Sequence, residues 1–269
     1  MPFARTLHSE ESVVLGISRC GPTNRAMSAE ELDTDFMVIV PISGMYIRHV
    51  NDEEILASPA VALFVEAGEV SRTSHPQGGA DQSLFVSLSP ELAGWFTDGY
   101  GVSRRRAALD PGAAAMLRLS ATTAARGGPL SSLQIEEAVA ALAAGWPAAS
   151  PPRGVREAVQ RAEEYLTAHF REDADLRTVA RAVGYSPHHL SRMFTRMVGV
   201  PLGVYRARLR VAEAMTRLLG GDDDIARVAV ESGFYDHAHL VRQTRRMVGW
   251  TPSQIRALGS AVDNGGRQV

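Results

Sequence analysis

Val179-Ala180-Arg181-Ala182-Val183-Gly184-Tyr185 and Val228-Ala229-Val230-Glu231-Ser232-Gly233-Phe234 are two versions of one stretch, and they set the reading of this chain. Each puts a small Ala in a short apolar run and ends at Gly followed by an aromatic. Downstream, Leu190, Arg192 and Arg196-Met-Val-Gly199 of the first copy answer to Leu240, Arg242 and Arg246-Met-Val-Gly249 of the second. Leu190 and Leu240 are 50 residues apart, so the repeat is a supersecondary unit used twice. The register slips by one residue between the Gly and the Leu, which lengthens the second turn.

The local chemistry predicts helix, tight turn, helix in both copies. Short helices are expected over Leu176–Val183 and Ile225–Ser232, each with an Ala (Ala180, Ala229) that lets a second helix cross closely. Gly184 and Gly233 suit the left-handed conformation that stops a helix. Ser186 with Pro187, and Asp236 in the second copy, supply the cap for the helix that follows. On the first of these following helices Leu190, Met193, Phe194 and Met197 make an apolar stripe. The opposite side carries His188, Ser191, Arg192, Thr195 and Arg196. The second copy presents His237, Ala238, Val241, Arg242, Arg245 and Arg246. Such donor and acceptor sets on a helix's first half suit the major groove of DNA. A connecting helix over Leu202–Leu219, about 27 Å long at 1.5 Å per residue, suits two reading helices set about one DNA turn, ~34 Å, apart.

From Val155 to Leu258, through the closing Gly249-Trp-Thr-Pro252-Ser-Gln-Ile-Arg256, this layout resembles the AraC/XylS type of bacterial regulator. The resemblance implies a bipartite DNA-binding domain whose two reading helices enter successive major grooves, joined to an N-terminal effector-binding and dimerisation domain. By motif position, His188, Ser191, Arg192, His237, Ala238, Val241 and Arg242 fall where the family contacts bases. One departure is visible. The family sets an apolar residue and then an aromatic after the Arg of its second reading helix, as Met193-Phe194 do in the first. Here Gln243-Thr244 stand there, which predicts a second unit that is less tightly packed or that reads DNA differently.

Charge divides the chain in the same way. The net charge is −2, and all 28 basic residues are Arg. Residues 1–150 carry 10 Arg against 17 Asp and Glu, whereas residues 151–269 carry 18 Arg against 13. A basic half behind an acidic one is expected if only the former meets a polyanion.

The first ninety residues read as short strands: Val13–Cys20, Phe36–Ile42, Met45–His49, Val61–Val65 and Leu84–Leu88. That spacing predicts a jelly-roll, cupin-like barrel. Two Ala-rich helices follow, over Ala113–Ala125 and Leu133–Trp146. The second carries Ile135, Val139 and Leu142 on one face, which either packs on the barrel or pairs two copies. The fold class is thus α+β, with a β-rich effector-binding and dimerisation domain at 1–147, a Pro-rich linker at 148–154 and the double helix-turn-helix domain at 155–269.

The functional expectation is a cytoplasmic, homodimeric transcription regulator whose partners are double-stranded DNA, an unidentified small-molecule effector and, for an activator, RNA polymerase. No signal peptide or membrane span is expected. No catalytic set, cofactor or metal is expected either. His8, His49 and His75 form no His-x-His pair, and Glu66 and Glu69 read as surface or turn residues. Lone Cys20 reads as a small core residue, and His237 and His239, two apart on a helix, do not face each other. Arg206, Arg208 and Arg210 read at least as readily as solvated or salt-bridged side chains as they do as phosphate contacts. Two other readings stay open at this point. One is a regulator whose N-terminal half only dimerises or binds a protein. The other is a barrel enzyme with a helical docking domain.

Overall fold

The computed structural model describes residues 3–23, 27–76, 78–94, 105–144, 153–173 and 175–264. Among the described residues ten strands come first: β1 (Phe3–Ser9), β2 (Val13–Thr23), β3 (Glu31–Leu32), β4 (Phe36–Ser43), β5 (Tyr46–Val50), β6 (Glu53–Ala57), β7 (Val61–Val65), β8 (Val70–Ser74), β9 (Gly79–Leu88) and β10 (Arg106–Ala108). They form a six-stranded sheet of order β1-β2-β9-β4-β7-β10 and a four-stranded sheet of order β3-β8-β5-β6. Every pairing is antiparallel. Stripped of its edge strands β1 and β10, the first sheet leaves two four-stranded sheets with the interleaved order of a jelly roll, as expected. Val61 and Leu63 of β7 pack with Tyr46, Val50, Ile55 and Ala57 of the smaller sheet, which joins the two layers.

Helices α1 (Pro111–Ala125) and α2 (Ser132–Ala144) follow. The start of α1 is written in its sequence: Asp110 Oδ1 accepts from Ala113 N at 2.8 Å and Pro111 occupies the first turn. Both helices cover one side of the larger sheet, where Ala114 and Leu117 meet Leu15, Val38, Leu84 and Val86. Ile135, Val139 and Leu142 are fully buried in that same core. The α2 stripe therefore serves the chain's own barrel and is not available to pair two copies. Trp146 and residues 145–152, most of the expected linker, lie outside the described residues.

The helical half comprises α3 (Arg153–His169), α4 (Leu176–Val183), α5 (Pro187–Val198), α6 (Leu202–Leu219), α7 (Ile225–Glu231), α8 (His237–Val248) and α9 (Pro252–Asn264). Among the described residues no helix is long and apolar enough to cross a membrane. Two separate cores organise this half. Val179, Ala180, Leu190, Phe194, Tyr205 and Leu209 cluster with α3 and with Tyr46, Ile55 and Leu63 of the barrel. Val211, Met215, Leu218, Val228, Ala229, Phe234, Leu240 and Ile255 form the other core, closed by Ala115 of α1. The second half of α6 and the whole second unit thus lean on α1, while the first unit leans on the barrel.

Buried polar contacts stitch the halves together. Ser58 and Tyr205 hydroxyls meet at 2.7 Å, and Arg106 of β10 donates through Nη1 to Glu163 Oε2 of α3 at 2.9 Å. Within the barrel, Glu69 is buried and accepts from Arg48 and Arg105. Glu69 closes the turn after β7, its N donating to Glu66 O at 3.2 Å, so it is a turn residue as expected, but its side chain is buried rather than on the surface. Its carboxylate is a junction for two guanidinium groups, which is how a buried charge is accommodated.

Candidate nucleic-acid interface

The turns are built as the sequence implies. Gly184 (φ 77°) and Gly233 (φ 86°) both sit in the left-handed region. A Cβ on Gly233 would also lie 2.7 Å from Arg171 Cα, so this position excludes any side chain. Ser186 Oγ accepts from His189 N at 3.3 Å to cap α5, and Asp236 Oδ1 accepts from His239 N to start α8 at 2.6 Å. An aromatic from each turn braces a histidine in the first turn of the reading helix. Tyr185 stacks on His189 at 5.6 Å, and Phe234 meets His239 edge-on at 5.3 Å. His239 Nδ1 also accepts from Tyr235 N at 3.4 Å. His237 lies exposed, so the two histidines serve separate tasks.

The two reading helices then present matching faces. On α5, His188, Arg192, Thr195 and Arg196 are exposed and Ser191 is half-buried, while Leu190, Met193 and Phe194 are buried beneath them. On α8, His237, Ala238, Arg242, Arg245 and Arg246 are exposed and Val241 is half-buried. Every candidate DNA-contact residue on these helices stands on the solvent side or at its edge. The departure at Gln243-Thr244 takes a definite form: Thr244 is fully buried, and its hydroxyl donates back to Leu240 O at 3.1 Å. That bond satisfies the hydroxyl inside the helix, but the smaller side chain forgoes the ring contact that Phe194 makes edge-on with Tyr205 at 5.4 Å.

Sequence reasoning missed Tyr235. It is the extra residue of the longer second turn, and it stands 89% exposed immediately before α8. The one-residue slip in the repeat was the signal that could have found it. Two arginines of α6, Arg208 and Arg210, also depart from expectation. Arg210 is buried and donates to Phe170 O at 2.6 Å and Glu172 O at 2.8 Å, fastening α6 to the loop after α3. Two nitrogens of Arg208 are buried without an acceptor, and burial lowers its pKa.

Away from the helices, the barrel brings Cys20, His75 and Asp81 together, their ligand atoms all within 4.8 Å. No spacing rule could have joined these three positions. The sequence reading did not single them out as a set, and His75 Nε2 and Asp81 Oδ2 already engage one another at 2.5 Å. Burial pushes the Cys20 thiol up, against thiolate formation.

Two helix-turn-helix units sharing one long central helix define the class of this region as a bipartite helix-turn-helix module. Residues 179–257 match the helix-turn-helix domain family. The chain is 31% identical over 99 residues to an uncharacterized helix-turn-helix-type transcriptional regulator of Staphylococcus aureus strain COL, covering 37% of this chain and 13% of that protein. It is 32% identical over 92 residues to the helix-turn-helix-type transcriptional activator RhaS of Escherichia fergusonii, covering 34% of this chain and 33% of RhaS. Among solved structures, the C-terminal domain of AraT, a response regulator from Geobacillus stearothermophilus, aligns over 37% of this chain and 83% of its own, at 28% identity and a TM-score of 0.36. The chain thus spans 13% to 33% of the length of these curated relatives. Its C-terminal region belongs to the AraC type of helix-turn-helix domain.

Proposed function

We propose that the chain is a sequence-specific DNA-binding transcription regulator, not an enzyme, and that its N-terminal half senses a small molecule and pairs two copies. The observation that carries the DNA reading is the pair of repeat-related faces on α5 and α8. Both are polar, solvent-exposed and capped at the end that would meet the bases. In this reading the base contacts come from His188, Ser191, Arg192, Thr195, His237, Ala238, Val241 and Arg242. Arg196, Arg245 and Arg246 serve the phosphates, and Tyr235 stands at the rim of the second groove.

Selection of the preferred site from a random DNA library tests this directly. A bipartite motif with half-sites one turn apart is expected, together with affinity that falls steeply as salt rises through counterion release. Recovery of no enriched motif by the folded full chain would overturn the reading. On the selected site Arg192→Ala is expected to cost about 1–3 kcal/mol and to relax choice at one base position. Arg245→Ala and Arg246→Ala should instead weaken all sequences alike and flatten the salt dependence. A loss of specificity from Arg245→Ala or Arg246→Ala equal to that from Arg192→Ala, measured on single-base site variants, would show that these arginines read bases rather than phosphates.

Effector response is supported by the way the halves are joined. The Ser58–Tyr205 and Arg106–Glu163 contacts place barrel residues directly on α6 and α3, so a change in the barrel alters what the helices rest on. Pairing of copies belongs to the same proposal, through a surface other than the α2 stripe. Sedimentation of the full chain measures it, and a purely monomeric species at assay concentration would remove it.

A further inference from the structure

We propose that the cleft between the α1-covered side of the larger sheet and helices α1 and α6 is the effector site, and that its ligand is a small amphipathic anion: a carboxylate on an apolar body. This rests on the regulatory reading above and names the ligand class for it.

The cleft holds about 310 Å³, at the lower end of the ~300–1,000 Å³ typical of small-molecule sites. Its walls are of two kinds. Leu7, Ile17, Ile42 and Leu84 of the sheet, with Ala121 of α1 and Leu219 of α6, supply an apolar lining. Arg5, Arg19, Arg118 and Arg126 supply four guanidinium groups, and among the described residues no acidic side chain lines the cleft.

Arg118 is the most telling of the four. Its residue is only 4% exposed, yet all its acceptors are neutral: Ala212 O at 3.0 Å, Thr216 Oγ1 at 2.8 Å, Pro41 O at 3.4 Å and Ile42 O at 3.3 Å. Glu213 acts on it only across space and is itself bonded to Arg171 at 2.6 Å. Burial consequently pulls the Arg118 guanidinium down to about 10. A buried cation without a counter-charge is costly, and an anion entering the cleft relieves that cost. Arg126 adds a second unmet demand, since its Nη1 is buried without any acceptor. Bare phosphate would satisfy the charge but leave the leucine and isoleucine walls wet, whereas a carboxylate with a hydrocarbon or aromatic body satisfies both.

The site also has a route to the DNA-binding region. Arg118, Ala121 and Arg126 all lie on or at the end of α1, whose Ala115 closes the core of the second helix-turn-helix unit. Thr216, Leu219 and Gly220 bring the end of α6 into the same wall. A ligand there bears at once on the sheet, on α1 and on the helix that carries both units.

The test uses the full chain with octanoate, 1-octanol and inorganic phosphate as probes, read by thermal shift and calorimetry, and DNA affinity on the selected site with and without saturating octanoate. Octanoate is expected to raise the melting temperature as its concentration rises, while the alcohol of equal length and phosphate leave it nearly unchanged. Arg118→Ala also removes ties between β4 and α6 and could unfold the chain. The exposed rim pair Arg5→Ala with Arg19→Ala is therefore the decisive variant, expected to weaken octanoate about tenfold, or ~1.4 kcal/mol. Saturating octanoate should change DNA affinity by about 5-fold or more. Equal shifts with octanoate and octanol, or an unaltered octanoate affinity in the rim variant, would overturn the anion site. Unchanged DNA affinity at saturation would overturn its role as effector site. Absence of DNA binding by the folded chain under all conditions would instead overturn the regulatory reading, while the thermal-shift and calorimetric arms still decide whether the cleft takes anions.

Discussion

Glu163→Ala is expected to destabilise the full chain by about 3–5 kcal/mol, because it breaks a buried ion pair from one side. Glu163 on α3 is 0% exposed and takes both terminal nitrogens of Arg106 on β10. Removing the carboxylate strands a guanidinium whose side chain is only 22% exposed, and the loss exceeds that of an ordinary hydrogen bond. Glu163→Gln, which keeps shape and one acceptor, should lose less. Urea unfolding of the two variants measures the difference. A midpoint equal to wild type for the alanine variant would mean that the pair contributes nothing to joining the halves.

The second large effect concerns the anchor of the first reading helix. Phe194→Ala empties a fully buried site against Tyr205, Leu190 and Val179, and large-to-small changes of this kind cost about 3–5 kcal/mol. DNA binding should fall with it, since α5 is positioned by that contact. Thr244→Ala, at the matching place on α8, should cost only about 1 kcal/mol, because little ring or branch volume is lost. If the two variants lowered the thermal midpoint equally, the asymmetry between the units would have no energetic basis.

The helical half was readable in the sequence because its signals are local. Gly, cap and apolar stripe lie within a few residues of each other, so α4 and α6 fall at their expected bounds. The barrel was half readable. Val61–Val65 is a continuous apolar run and is β7 to the residue, but β8 reads Val-Ser-Arg-Thr-Ser and β3 has two residues. Such strands exist because partners hold them, and no local periodicity announces them. Contacts made across the chain were illegible for the same reason. Nothing in sequence links Glu69 to Arg48 and Arg105, or Arg118 to the carbonyls of Pro41 and Ala212, and the cleft exists only once sheet and helices have met. The stripe on α2 pointed equally to barrel or partner, and only the packing against the larger sheet decided between them.

Helix α6 carries a consequence for the DNA itself. Its first half, at Tyr205 and Leu209, is sunk in the core of one unit, and its second half, at Met215 and Leu218, in the core of the other. On the proposed DNA reading, the two grooves met by one chain are therefore held at a distance measured out by a single continuous rod. In a paired complex the operator would contain two kinds of spacing. Within each chain's site the half-sites keep a fixed phase, and one inserted base pair, moving the second half by ~3.4 Å along the axis, cannot be followed. Between the sites of two copies no such rod intervenes, so genomic operators should vary there and nowhere else.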